Sequence, residues 1–332
     1  MGMFRKAQES FVGGKFFAFG ETGSGKSLFT LTFPKVAAID TEAGLSDYEG
    51  KHPNLVFVAN TTSHKEVYDA LEEVEEYADS GDIETVAIDS ETKIYDSMQI
   101  TSMELEERRA RQKGGDIDDA NVSMRGWGKI KNITKKLQST KIDLSTKGLF
   151  VVSTAQAADV KKKVGEEMIK IGEKPDAHKS MSFDYDVILR FFVEEVFEKG
   201  KKVPKYKAEV LKDRTGTFQK FDVIENPSFV MWKPYYDAKK SKGVANPPTK
   251  YKENTETDES SMIEEDMAID NAKKLVSKVM KANGKEFTVN LLKECKVKGG
   301  ITGINTIKIA NDVIKKCEEA LKDSEQESSD AE

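Results

Sequence analysis

An apolar run at 16–19, Phe-Phe-Ala-Phe, passes directly into Gly20-Glu21-Thr22-Gly23-Ser24-Gly25-Lys26-Ser27. Short continuous apolar runs bounded by turn residues read as strands buried on both faces. Similar runs recur at 35–40 (KVAAID), 55–59 (LVFVA), 85–90 (TVAIDS) and 149–154 (LFVVST), and three of them end in polar side chains: Asp40, Asp89 and the Ala155-Gln156 pair. Helical spacing separates them. Residues 27–32 predict a short helix stopped by Pro34, and Ser63 to Glu66 is a capping box leading into Val67, Leu71, Val74 and Ala78. Trp127, Ile130, Ile133 and Leu137 mark another helix, and strands at 186–193 and 205–211 follow. From 237 to 260 the pattern dissolves into Lys, Asn, Thr, Pro and Glu around Pro247-Pro248, a linker. Residues 262–282 and 305–321 regain helical spacing, broken at Gly299-Gly300. The expected organisation is a core at 1–236, a linker at 237–260, a small helical module at 261–317 and a disordered acidic tail at 318–332.

The loop after the first run matches G-x-x-x-x-G-K-[ST] at Gly20, Gly25, Lys26 and Ser27. Backbone N–H groups and the start of the following helix surround a β-phosphate, Lys26 reaches the β and γ oxygens, and the Ser27 hydroxyl ligates Mg²⁺. The nucleotide contacts are therefore expected from Gly20, Glu21, Thr22, Gly23, Ser24, Gly25, Lys26, Ser27 and Leu28, with Tyr48 as the aromatic against the base. A carboxylate at the C-terminal end of a parallel strand points into the crevice where open α/β sheets bind ligands. Glu42, just past Asp40, is the candidate base for an attacking water, and Asp89 the candidate Mg²⁺ ligand, assisted by Ser90. Gln156 is placed to sense a γ-phosphate and pass its presence to the following segment.

Charge changes the picture little until it is located. The 332 residues carry a formal −6, yet 318–332 hold seven acids against one Lys, so the rest is neutral overall. The tail is either a solubilising terminus or one that competes with DNA. Arg108, Arg109, Arg111 and Lys113 cluster before Gly114-Gly115, either as a loop reaching for a phosphate backbone or as a solvated helix face with Glu104, Glu106 and Glu107. Lys161, Lys162, Lys163, Lys170, Lys174 and Lys179 lie among five acids, and VKKKVGEEMIKI also reads as a β-hairpin turning at Gly165. Lys212 and Arg214, just past a late strand, are surface charges or an arginine-finger device for a neighbour's nucleotide. Phe4-Arg5-Lys6-Ala7 is an unstructured leader or an anchor into another subunit. Two cysteines, Cys295 and Cys317, and three histidines form no metal-ligand spacing, and no apolar run approaches a membrane span; the cytoplasm is the expected location.

With the phosphate loop, AIDTE, VAIDS and STAQ in that order, the chain resembles the RecA-like ATPases, and most of all the divergent phage members that act as nucleotide-binding single-strand-annealing proteins. The resemblance covers roughly residues 4–235. It implies an α/β, RecA-like P-loop NTPase core, a mostly parallel sheet flanked by helices, with ATP and Mg²⁺ as cofactors. Glu42 would activate water, Asp89 would be the second acidic motif, and Gln156 would couple the nucleotide to a DNA-binding loop containing Lys161, Lys162, Lys163 and Lys179. Arg108, Arg109 and Arg111 would add to the DNA surface. Lys212 and Arg214 would be the paired cations that cross a filament interface, and Phe4-Arg5-Lys6-Ala7 resembles a Phe-x-x-Ala subunit anchor. The 161–179 segment lacks the family's glycine-rich, Arg-bearing character, so annealing is implied rather than full strand exchange. Partners implied are single-stranded DNA, further copies in a filament or ring, and a single-strand-binding protein; no membrane is implied. A hexameric DNA motor and a nucleotide-gated adaptor without turnover are the rival readings.

Overall fold

A computed structural model describes residues 10–112, 116–118, 120–242, 244–245 and 251–329. The Phe4 to Ala7 leader, Lys113 to Gly115, Pro247-Pro248 and residues 330–332 lie outside the described residues. The chain divides into two compact units, Met1–Lys252 and Glu253–Glu332.

In the first unit the strands are β1 (Ser10–Phe11), β2 (Lys15–Gly20), β3 (Val36–Asp40), β4 (Leu55–Asn60), β5 (Thr85–Asp89), β6 (Phe150–Val164), β7 (Glu167–Pro175), β8 (Val187–Glu198), β9 (Lys201–Asp213), β10 (Val223–Glu225) and β11 (Val244–Ala245). The helices are α1 (Lys26–Thr30), α2 (His64–Asp79), α3 (Glu91–Gln112), α4 (Met124–Thr146) and α5 (Lys233–Lys242). The main sheet runs β10-β9-β8-β2-β6-β5-β3-β4, with β7 added to β6. All neighbouring pairs from β8 to β4 are parallel, while β9 and β10 are joined antiparallel. This is a mostly parallel mixed sheet flanked by helices, an α/β P-loop NTPase arrangement.

Both faces of the sheet are covered, which is why its strands are continuous apolar runs rather than alternating ones. Phe16 and Ala18 face a cluster with Phe29, Phe33, Phe229, Trp232 and Tyr236. Ile39, Val86, Ile88 and Val151 face the other way, onto Val67, Leu71 and Val74 of α2 and onto α3 and α4. The Phe16 ring meets Phe33 edge-on at 4.9 Å and Trp232 at 5.6 Å. The capping box before α2 takes a different form: Ser63 makes no side-chain cap, and Glu66 instead accepts from Thr61 Oγ1.

Two strand pairs run well past the sheet. β6 continues eight residues beyond Gln156, which is level with Gly20, and β8 continues seven beyond Phe191, which is also level with Gly20. At about 3.3 Å per residue the β6–β7 ribbon reaches roughly 26 Å past the phosphate loop and the β8–β9 ribbon roughly 23 Å. They flank β2 on its two sides. The turns sit at Gly165 and at Lys199-Gly200, all with positive φ.

Residues 237–242 of the expected linker belong to α5, because Tyr235 and Tyr236 anchor that helix to the aromatic core. In the second unit α6 (Tyr251–Glu294) is broken at Gly284, where φ is 82°, and α7 (Ile307–Ser329) follows a 3-10 turn at Gly300–Gly303. α7 extends the helix through residues 318–329, expected to be disordered, since Cys317, Ala320 and Leu321 carry its apolar face into the acidic run. Val276, Val279, Leu292, Val313 and Cys317 form this unit's core, and both cysteines are buried free thiols.

Candidate functional site

The phosphate loop closes between β2 and α1. A Cβ on Gly20 would lie 2.1 Å from the Phe191 carbonyl oxygen, and Gly25 holds φ at 95°, so both positions require glycine. The Lys26 ammonium donates to the carbonyls of Gly20 at 3.0 Å and Glu21 at 2.8 Å, which folds it back over the loop. Burial lowers its pKa, opposed by the nearby Asp89 and Glu42 carboxylates. With only five residues, α1 adds little dipole, so the loop amides and Lys26 supply most of the attraction for an anion.

Asp89 ends β5, one strand removed from β2, with β6 between them. It is buried, accepts from Thr154 Oγ1 on β6, and is hydrogen-bonded to Ser27. Burial pushes its pKa up, while the Ser27 and Thr154 hydroxyls pull it back. A hydroxyl and a carboxylate already in contact suit Mg²⁺, which takes one or two protein oxygens and completes its shell from water and phosphates. Among the described residues no group of three or more His, Cys, Asp or Glu could hold a metal alone.

Glu42 is set by the turn after β3. Asp40 accepts from the N–H groups of Glu42 at 3.1 Å, Gly44 at 3.2 Å and Leu45 at 2.8 Å, so its carboxylate is spent on shaping the turn. Thr41 stitches the turn to β5: its N–H donates to the Asp89 carbonyl at 2.7 Å and its hydroxyl accepts from Ser90 N–H at 2.7 Å. Glu42 Oε1 then accepts from Ser90 Oγ at 2.8 Å and Gln156 Nε2 at 2.9 Å. Three strand tips, bearing Glu42 just after β3, Asp89 on β5 and Gln156 on β6, thus meet beside Lys26 at the start of α1. A family model described as an AAA domain matches residues 13–219.

The chain belongs to the AAA domain family. The matched stretch runs through the loop and the strand tips bearing Glu42, Asp89 and Gln156, and marks this as a P-loop ATPase-type domain. No curated protein matches the chain.

Other expected site residues of the AAA domain fall elsewhere. Tyr48 is partly buried and packs against the core cluster that contains Phe29 and Leu31. Lys212 and Arg214 lie toward the opposite end of the strands: β9 pairs Asp213 with Val187, and Val187 is level with Phe16, four residues below Gly20. Four residues of strand are about 13 Å. There Lys212 donates to the Phe183 carbonyl at 3.2 Å and Arg214 pairs with Asp186 at 3.4 Å, so neither reaches its own phosphate loop. Arg108, Arg109 and Arg111 lie on α3, a charged helix rather than a loop, where Arg109 pairs with Glu106 and Arg111 with Glu107. Lys161, Lys162 and Lys163 are exposed on the outer part of β6, whereas Lys179 is in the return segment after β7.

Sequence reasoning named Asp40 only as a strand end and missed Thr41 and Thr154; all three act through hydrogen bonds to the turn or to Asp89. The polar end of each apolar run was the signal available for all three.

Proposed function

We propose that the protein is an ATP-hydrolysing, single-strand-DNA-binding recombination ATPase of the RecA-like kind, which anneals or pairs strands while nucleotide is bound. The observation that carries the reading is the position of Gln156. Its side chain touches Glu42, and its backbone locks the root of the β6–β7 ribbon: Gln156 N–H donates to Thr92 Oγ1 at 2.9 Å, Thr92 Oγ1 donates to the Asp176 carbonyl at 2.7 Å, and Asp176 N–H donates to the Gln156 carbonyl at 2.8 Å. A change at the Glu42 carboxylate is thereby handed to a ribbon carrying Lys161, Lys162 and Lys163. Across the loop, the β8–β9 ribbon exposes Phe197 with Lys202 over its ring at 6.0 Å. Exposed lysines with an aromatic platform suit a single strand, whose phosphates and base faces they meet.

In this reading Lys26 and the loop amides bind the β and γ phosphate oxygens, and Ser27 and Asp89 hold Mg²⁺, which neutralises phosphate charge when bound. Glu42 orients the attacking water and accepts its proton, kept in place by Ser90 and Gln156. Assembly into a filament would bring Lys212 and Arg214 of one copy to the loop of the next.

ATP turnover measured with and without single-stranded DNA tests the proposal. Stimulation by DNA, lost in Glu42→Gln and reduced when Lys161, Lys162 and Lys163 are all changed to Ala, supports it. Turnover indifferent to DNA would sink the recombination reading and leave the ATPase-type domain intact.

A further inference from the structure

We infer that Arg190 joins the two ribbons at their roots, so that a nucleotide-driven change in the β6–β7 ribbon is shared by the β8–β9 ribbon. The inference rests on the reading of Gln156 as the relay and names the residue that carries the relay across to the second ribbon. Among the described residues no ladder connects the ribbons: β7 pairs with β6, and β8 pairs with β2 and β9. Side chains make the connection instead. Arg190 of β8 donates from Nη1 to Glu173 of β7 at 3.2 Å and from Nε to Glu209 of β9 at 2.8 Å. Glu173 also pairs with Lys170 at 2.7 Å, and Lys170 with Asp159 of β6 at 2.8 Å. Five charges of alternating sign thus run across all four ribbon strands, and the pair Arg190–Glu173 is the step from one ribbon to the other.

Position gives this step its reach. Arg190 is level with Phe19, the residue before Gly20, so the bridge passes at the base of the phosphate loop. Phe191 packs with Phe16 and Phe29, and successive side chains of a strand point to opposite faces, so Arg190 lies on the face of the sheet away from that cluster. Glu173 stands three residues before Asp176, whose N–H and carbonyl close the lock on Gln156 and Thr92. Lock and bridge therefore hold the same end of β7.

An isolated exposed ion pair contributes little, but this pair belongs to a network and one of its members is nearly buried. Glu173 is 9% exposed, and Lys170, together with Arg190, holds its pKa below the ordinary carboxylate value against the effect of burial, so it stays charged at neutral pH. The guanidinium stands over the Phe192 ring at 5.3 Å, which fixes its plane. Two different nitrogens of one rigid fork thus hold two different strands.

The test is amide hydrogen exchange of the full chain with and without a non-hydrolysable ATP analogue and Mg²⁺. In wild type the analogue is expected to slow exchange in both ribbons, at 157–175 and at 192–207. Arg190→Gln and Glu173→Gln are each expected to keep the slowing at 157–175 and lose it at 192–207. Glu209→Gln removes an ion pair from the same guanidinium but spares the bridge, so both ribbons are expected to respond. Each protein is compared with itself, so a substitution that merely loosens a ribbon does not imitate the result. Slowing at 192–207 that survives in Arg190→Gln, or that is lost equally in Glu209→Gln, overturns the bridge. A wild type whose β6–β7 ribbon responds while β8–β9 does not also overturns it. A wild type that binds the analogue with no response in either ribbon overturns the Gln156 relay beneath it.

Discussion

Gln156 Nε2 donates to Glu42 Oε1 at 2.9 Å across 114 positions of sequence. The contact ties the candidate base to the strand that leaves the sheet as a ribbon, so the two residues are expected to fail differently. Glu42→Gln removes the proton acceptor and should lower kcat by about 10²- to 10⁴-fold with ATP affinity nearly unchanged. Gln156→Ala leaves the carboxylate and should cost less in DNA-free turnover while abolishing stimulation by single-stranded DNA. Steady-state ATPase assays with and without DNA separate them; equal losses in both conditions would show that Gln156 only positions Glu42.

Asp89 is costly to the fold in its charged form. Burial raises its pKa, so the folded chain binds this proton more tightly than the unfolded chain, and stability from this group falls as pH rises through the folded value. Asp89→Asn should therefore be more stable than wild type at pH 7 to 8 without ligand. The advantage should shrink as pH drops through the raised pKa, and vanish near the unfolded value of about 3.9. Nucleotide with Mg²⁺ should no longer raise the melting temperature of the variant. Thermal unfolding across pH, read by tryptophan fluorescence, checks both; Trp127 and Trp232, the two tryptophans, lie in the first unit. A variant less stable than wild type at every pH would refute the argument.

The strands carrying this site were readable because they are buried on both faces: Val36–Asp40 and Thr85–Asp89 are continuous apolar runs with a carboxylate at the tip. The β6–β7 hairpin was legible too, in VKKKVGEEMIKI with its turn at Gly165, but the outer part of the β8–β9 ribbon was not. Beyond Phe191 the β8–β9 pair is held by its own ladder and by exposed pairs such as Lys202 with Glu195, so the run 194–202 looks like a charged loop. Tyr48, expected against the base, is partly buried and packs against the core cluster. Phe229, Trp232 and Tyr236 cover one face of the sheet from a 3-10 turn and the start of α5, a stretch too short and irregular for a periodic signal.

Directly beneath the site, Lys141 of α4 and Glu91 of α3 form an ion pair at 2% and 5% exposure. Glu91 also accepts from Ser153 Oγ at 2.7 Å, and Ser153 accepts from Tyr185 OH at 2.7 Å. Removing one partner strands a buried charge, so Lys141→Met should cost about 3–5 kcal/mol. Adding Glu91→Gln should recover a large part of that loss. Urea unfolding followed by fluorescence measures it, and a double variant no better than Lys141→Met would count against the pairing.

Lys212 and Arg214 sit toward the end of the strands away from Gly20, so any role at a phosphate loop must be played on another copy of the chain. Burial, with Arg214 beside it, lowers the pKa of Lys212, yet the ammonium still holds the Ser182 and Phe183 carbonyls. A Lys212→Ala, Arg214→Ala double variant should bind ATP with affinity close to wild type, because its own loop is untouched, and turn it over slowly. Glu42→Gln is also slow, for the opposite reason: its cations are intact and its base is missing. Mixing the two should restore turnover in proportion to the interfaces where intact cations meet an intact Glu42. No recovery on mixing, with both proteins folded by their melting curves, would confine the pair to its contacts with Asp186 and the 182–183 carbonyls.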